Sequence, residues 1–196
     1  MAKRRKTTTN KTVTYGKNMV SPQGVAMYSY LAEPAEARDG MKEKFKVSLL
    51  FDADDPAFKK FEKILIAANE KHGSTEDSTL KEVDEDMVEY ATEKNIQGIT
   101  LGQPYVAFTT GKGPIPVVDA TGEGTDEDIW AGDTARVQFN MCGWYFGKKS
   151  GVSCWLSGAQ LIKTTREGLL TTSALDGVVE EEFDGDSATL DELLAD

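Results

Sequence analysis

DTARVQFNMCGWYFGKKSGVSCWLSGAQLIK, residues 133–163, alternates apolar and polar side chains on the way out and again on the way back. Ala135, Val137, Phe139 and Met141 fall on one side of an extended chain and Arg136, Gln138, Asn140 and Cys142 on the other, because successive strand residues point to opposite faces. Val152, Cys154 and Leu156 against Ser153, Trp155 and Ser157 repeat the pattern. Between the two runs, Gly147-Lys148-Lys149-Ser150-Gly151 has glycines at both ends, as a hairpin turn requires. The stretch therefore reads as a long β-hairpin with one dry and one wet face. Trp155 is predicted on the wet face, close to Trp144, Tyr145 and Phe146 before the turn and to the lysines at its tip. Large aromatics beside cations make a stacking platform for unpaired bases. A protein interface would use the same residues, and Phe146 and Cys154 also fit a core reading.

Composition sets the outer limits. The 196 residues are enough for one globular domain with something extra, and 39% hydrophobic residues can supply a core. No apolar run of about 18 residues predicts a membrane span, and the basic start Met1-Ala2-Lys3-Arg4-Arg5-Lys6 leads into threonines rather than a signal-peptide core. Cys142 and Cys154 are too few for a disulfide framework or a four-cysteine metal site and read as buried free thiols in a reducing, cytoplasmic setting. The net charge of −11 divides unevenly. Residues 176–196 hold nine acids (Asp176, Glu180, Glu181, Glu182, Asp184, Asp186, Asp191, Glu192, Asp196) and no Lys or Arg; removing them from the chain's 33 acids leaves 24 against 22 bases, or −2. Residues 1–17 carry six bases and no acid. The chain has two opposed poles.

Ahead of the hairpin, residues 1–18 read as a flexible basic arm, either solubilising or in contact with phosphates. Ser21-Pro22-Gln23-Gly24 marks a turn into a first strand in which Tyr28 and Tyr30 share a face. In the next strand Phe45, Val47, Leu49 and Phe51 alternate with Lys42, Lys44, Lys46 and Ser48, a charged stripe that is either a solvated face or a phosphate track. Asp54-Asp55-Pro56 opens a helix closed by Gly73, with Phe58, Phe61, Leu65 and Ala68 at helical spacing. The lone histidine, His72, falls at its C-terminus, where a cap or dipole role is expected. A second, short helix is predicted within Lys81 to Lys94, in an acidic segment that nucleic acid should avoid. Pro104 to Thr110 reads as a strand, Gly111-Lys112-Gly113-Pro114 as its turn, and Ile115 to Asp119, flanked by prolines, as an edge strand. Thr164 to Gly177 reads as a linker, and the remainder as a disordered acidic tail in which Leu190, Leu193 and Leu194 could form a turn of helix on a partner.

The apparatus of catalysis is missing. Gly111-Lys112-Gly113-Pro114 lacks the spacing and the Ser or Thr of a P-loop, Gly122-Glu123-Gly124 lies in an acidic loop rather than a strand-to-helix turn, and one histidine with two strand cysteines forms no hydrolytic triad. The acids of residues 74–98 lack EF-hand spacing. No enzyme, metal or cofactor is expected.

The basic start, the tyrosine strand, the lysine strand, the inserted helix opened by Asp55-Pro56, the terminal hairpin and the acidic tail together resemble the OB-fold single-stranded-DNA-binding proteins of tailed bacteriophages. The resemblance implies a mainly β, OB-fold-like five-stranded barrel with one or two inserted helices and a disordered acidic C-terminal tail. Its domain would span residues 19–168, between a basic arm (1–18) and a linker and tail (169–196). It implies Lys42, Lys44, Lys46, Arg136, Lys148 and Lys149 at phosphates and Tyr28, Tyr30, Trp144, Tyr145 and Trp155 stacked on bases, with Glu180, Glu181, Glu182, Asp184, Asp186, Asp191 and Glu192 forming a regulatory tail. Single-stranded DNA and phage replication proteins would be the partners, in the cytoplasm of the infected host and without a membrane, with a homodimer also consistent. The ending Leu193-Leu194-Ala195-Asp196 departs from the aromatic end that such tails often carry. The rival expectation is a β-rich structural or virion protein that uses the aromatic hairpin as a protein interface.

Overall fold

The computed structural model describes residues 13–37, 42–75 and 79–165. Along them run strands β1 (Val13–Val20), β2 (Gly24–Ala35) and β3 (Lys44–Leu50), helix α1 (Pro56–His72), strand β4 (Leu80–Glu82), helix α2 (Glu85–Glu93), and strands β5 (Pro104–Thr110), β6 (Val117–Val118), β7 (Thr134–Phe146) and β8 (Lys149–Lys163). β7 and β8 are the two arms of the hairpin. Their alternation is realised as burial, with Ala135, Val137, Phe139 and Met141 facing Val152, Cys154 and Leu156 in the interior.

β2 pairs with β3, β3 with β5, β5 with β8, β8 with β7, and β7 again with β2, so five strands close a ring. Only the β5–β8 pairing in this ring is parallel. β1 extends β7 beyond its short contact with β2, β6 extends β8 beyond β5, and β4 adds to β5. The result is a mainly β, five-stranded OB-type barrel with two helices inserted between its second and third strands.

α1 closes one end of the barrel. The Asp55 carboxylate accepts the Ala57 N–H at 2.9 Å, Pro56 needs no partner for a missing N–H, and Gly73 ends the helix at φ +66°, a left-handed conformation that glycine adopts without steric cost. Its apolar stripe, Phe58, Phe61, Leu65 and Ala68, enters the core: Phe51 stacks on Phe58 at 5.1 Å between centroids, and Phe139 meets Phe61 at 5.8 Å and Phe108 at 5.1 Å. Burying each phenylalanine contributes roughly 1.5–3 kcal/mol. A polar tie fixes the helix to β8: buried Asn69 donates to the Leu65 carbonyl and to Thr79 Oγ1, both at 3.0 Å, and Thr79 donates to the Val152 carbonyl at 3.0 Å.

A second apolar cluster sits outside the ring. Met27, Leu50, Val83, Met87 and Ala91 are buried there with Tyr28, Tyr90 and Tyr105 packed around them. α2 provides the cover; the Asp84 carboxylate caps it by accepting the Met87 N–H at 2.9 Å, with Glu85 and Asp86 in its positive first turn.

Several expectations are corrected. Residues 13–18 belong to β1 rather than to the arm; two irregularities in its pairing with β7 obscure its period. Tyr28 does not continue a regular alternation to Tyr30, because β2 is irregular between Met27 and Tyr30 and Tyr28 stands at φ +48°. The hairpin turn is only Gly147-Lys148, with Gly147 at φ +63° at the first central position, while Lys149, Ser150 and Gly151 already pair with β7. Cys142 is buried rather than solvent-facing, since β1 covers its side of β7 through Thr14. Both cysteines are free thiols, and Cys142 pairs with Ser153 whereas Cys154 pairs with Met141, so they point to opposite faces. Phe146 is the reverse case, 79% exposed rather than core. Ser48 is buried, so the lysine stripe ends where the second cluster begins. The predicted second helix starts at Glu85, after a short strand. Residues 1–12 of the basic arm, and the linker and tail from residue 166 onward, with Glu180, Glu181, Glu182, Asp184, Asp186, Asp191 and Glu192, lie outside the described residues.

Candidate nucleic-acid interface

Side chains directly opposite one another in a sheet project to the same face, so the register locates the surface. Tyr30 pairs with Lys46, Lys46 with Thr109, Thr109 with Trp155, and Trp155 with Asn140. These five residues form one lateral row across β2, β3, β5, β8 and β7. The inward row beside it is Val47, Phe108, Cys154 and Met141, all buried, which fixes the first row as outward. Three inter-strand steps of about 4.8 Å put Tyr30 and Trp155 about 14 Å apart around the barrel.

Each end of the row has its own environment. The Lys46 ammonium lies 5.0 Å from the centre of the Tyr30 ring and 5.8 Å from that of Tyr28, within cation–π range. Tyr28 leans on Tyr90 of α2 at 4.7 Å between centroids. Burial pushes the Tyr28, Tyr90 and Tyr105 hydroxyls up, and the Asp84 carboxylate adds to this at Tyr28 and Tyr105, so all three stay neutral at physiological pH. This end is bounded by the acidic helix.

At the other end Trp155, 47% exposed, forms a wall of a cleft of about 740 Å³. Lys44, Lys112, Thr109, Asn140 and Ser157 also line it, and no carboxylate does. A cleft with two ammonium groups, a half-exposed indole and uncharged polar groups can hold a planar aromatic ring attached to an anion.

The remaining candidates scatter. Lys42 is exposed just before β3. Arg136 is four residues along β7 from Asn140, beside Gln160, whose amide donates to the carbonyls of Asp119 and Ala120. Trp144 shares the outer face with Asn140 but lies four residues beyond it, about 14 Å. Tyr145 has the opposite parity and packs on His72 at 4.6 Å between centroids. His72 is a pin rather than a simple cap: the Tyr15 hydroxyl donates to its Nδ1 at 2.8 Å, and its Nε2–H donates to the Trp144 carbonyl at 3.1 Å. Because that carbonyl can only accept, the proton must sit on Nε2. Lys148 and Lys149 are exposed at the hairpin tip with Phe146.

Sequence reasoning put Asn140 on the wet face of the hairpin but did not single out Asn140, Lys112 or Thr109 as site residues. The glycines around Lys112 signalled an exposed turn, but nothing local placed that turn opposite Trp155. Exposed Trp130 in the loop before β7 was likewise unmarked. Among the described residues no helix is long and apolar enough to cross a membrane, and no three His, Cys, Asp or Glu converge as a metal site.

No protein-family model and no curated protein matches the chain. Solved structures do. The single-stranded DNA-binding protein from bacteriophage Enc34, in complex with ssDNA, superposes with a TM-score of 0.56 at 16% identity, covering 74% of this chain and 85% of that one. Its C-terminal truncation gives 0.56 at 17%, covering 74% and 84%. The single-stranded DNA binding protein encoded by bacteriophage T7 gives 0.54 at 15%, covering 79% and 97%. The fold built by these residues is thus the OB-type barrel shared with single-stranded-DNA-binding proteins of bacteriophages.

Proposed function

We propose that this protein binds single-stranded DNA with little sequence preference and coats unpaired strands during phage replication and recombination. The observation that carries the reading is the outward row Tyr30, Lys46, Thr109, Trp155, Asn140, which opens into a cleft holding Lys44 and Lys112. Every base offers a π-face to Trp155 and Tyr30, and every nucleotide a phosphate to the lysines. The role is binding rather than catalysis. Residues 19–168 are the proposed DNA-binding domain, extended back by β1 to Val13. Lys42, Arg136, Lys148, Lys149 and Trp144 would take phosphates and bases outside the cleft, while Tyr28 and Tyr145 act more by supporting their neighbours. The acidic stretch from Asp176 would compete with DNA for the lysines and recruit replication proteins, in the cytoplasm of the infected host, with a homodimer also compatible.

Titrating intrinsic fluorescence with oligothymidylate at several salt concentrations tests this. Saturable quenching that weakens with salt is expected; no quenching, or affinity indifferent to salt, would refute it. One observation favours a second reading: Phe146 and Tyr145 are exposed at the hairpin end, away from the cleft. That tip suits a protein contact, as a structural or virion protein would make, and such a protein would show no quenching.

A further inference from the structure

We propose that Trp155 and Asn140 form a base subsite that selects bases by their carbonyl acceptors, favouring thymine over adenine. The inference rests on the single-stranded-DNA reading above and assigns Asn140 a role in specificity. Asn140 and Trp155 are directly paired across the hairpin and both line the cleft, which puts their side-chain origins about 5 Å apart. A base lying on the indole therefore presents an edge to the Asn140 carboxamide.

The orientation of that carboxamide is decided by the fold. The backbone N–H of Asn18 donates to Asn140 Oδ1 at 2.9 Å. An N–H can pair only with the amide oxygen, so one oxygen lone pair is taken and both NH2 hydrogens are left for a ligand. Asn18 stands at φ +51°, a left-handed conformation that Asn tolerates better than most residues, in the irregular stretch where β1 shifts from Gly16 opposite Met141 to Met19 opposite Phe139. Among the described residues the Asn140 carboxamide makes no other hydrogen bond, and the Trp155 indole N–H makes none.

Two hydroxyls nearby are tied to the backbone. The Ser157 hydroxyl donates to the Gln138 carbonyl at 3.0 Å, and Thr110 Oγ1 accepts the Lys112 N–H at 3.3 Å. The charged and amide groups around the indole are all donors, namely the Asn140 NH2, the indole N–H and the ammonium groups of Lys44 and Lys112, while the hydroxyls of Thr109, Thr110 and Ser157 can donate or accept. Thymine offers two carbonyl oxygens, O2 and O4, to these donors, whereas adenine offers only ring nitrogens and sets its exocyclic NH2, itself a donor, beside N1 and N7. Stacking strength and backbone flexibility give most single-strand binders a modest homopolymer preference without any such contact. The test must therefore read a change in preference.

Full-length wild type, Asn140→Asp and Asn140→Ala are titrated into labelled oligothymidylate and oligodeoxyadenylate of equal length, followed by fluorescence anisotropy. Aspartate keeps an oxygen for the Asn18 N–H, so the local fold is retained, but it replaces the NH2 donor by an acceptor. Its added charge weakens both oligomers alike and cancels in their ratio. The thymidylate-to-adenylate affinity ratio is expected to fall about three- to tenfold in Asn140→Asp, the worth of one hydrogen bond, with Asn140→Ala between the two. If all three proteins bind both oligomers with the same ratio, the subsite is overturned while the single-strand reading stands. If the wild type binds neither oligomer, that reading fails and takes the subsite with it.

Discussion

Replacing Trp155 by alanine separates the proposed base platform from every other use of the hairpin. The indole stands on the outer face of β8, 47% exposed, with Thr109 and Asn140 beside it in register. Its loss leaves the inward row intact and should change stability by less than about 1 kcal/mol, as for most surface positions. Stacking on one aromatic is worth about 1–3 kcal/mol per base. A half-exposed ring in an open cleft belongs near the lower half of that range, so affinity for oligothymidylate should fall about tenfold. The salt dependence should not move with it. Lys44, Lys46 and Lys112 each neutralise at most one phosphate and so contribute about −2 to the slope of log affinity against log salt for a single strand, at about 0.7 per phosphate. Trp155→Ala keeps that slope, whereas Lys112→Ala lowers it by about 0.7 with a smaller loss of affinity. Anisotropy titrations at several salt concentrations, with thermal melts as the control for folding, read both quantities. Trp155→Ala binding within twofold of wild type, with an unchanged melt, would refute the argument from the row. So would an equal loss caused by Phe146→Ala at the hairpin tip.

Other consequences follow from the packing. Burial drives the Cys154 thiol far above its ordinary value of about 9. The folded state therefore holds a proton that the unfolded chain releases, and stability present below pH 9 is lost as the pH rises beyond it; denaturant melts across that range should show a steeper loss in wild type than in Cys154→Ala, where Cys142 and the partly buried tyrosines, also raised, still titrate. Native protein should also resist thiol alkylation at both cysteines and react on unfolding. Buried Asp133 accepts the Trp130 N–H and the Thr165 N–H, each at 2.8 Å, on its two oxygens. Asp133→Asn turns one of those oxygens into a donor facing an N–H and should cost about 2–3 kcal/mol in denaturant unfolding. Asn69→Leu removes the Asn69 hydrogen bonds to Thr79 and the Leu65 carbonyl and loosens α1 from β8; a loss of about 2 kcal/mol is expected, with oligothymidylate affinity close to wild type once the protein is folded. Removing residues 176–196 changes the formal charge from −11 to −2 and should tighten single-strand binding, most visibly at low salt; unchanged affinity would remove the proposed role of that segment.

Features decided within a few residues were legible in the sequence. The alternation of residues 135–141 and 152–156 specified a two-faced hairpin because strand geometry has a period of two whatever the strand pairs with. Asp55, Pro56 and Gly73 bounded α1 because caps satisfy backbone groups inside the first and last turns. Charge segregation and the want of catalytic constellations narrowed the function before any contact was visible. The tertiary structure decided what depends on partners distant in sequence. Ring closure aligned Lys46, Thr109 and Trp155, which are 63 and 46 positions apart, and no local pattern encodes which residue of one strand faces which residue of another. The irregularities in β1 and β2 shifted side chains between faces, turning Tyr28 against α2 and presenting the Asn18 N–H to Asn140. β1 covered Cys142, and the short turn left Phe146 in solvent. Each of these reflects a choice of register, and register is set by how whole strands bury their apolar faces together.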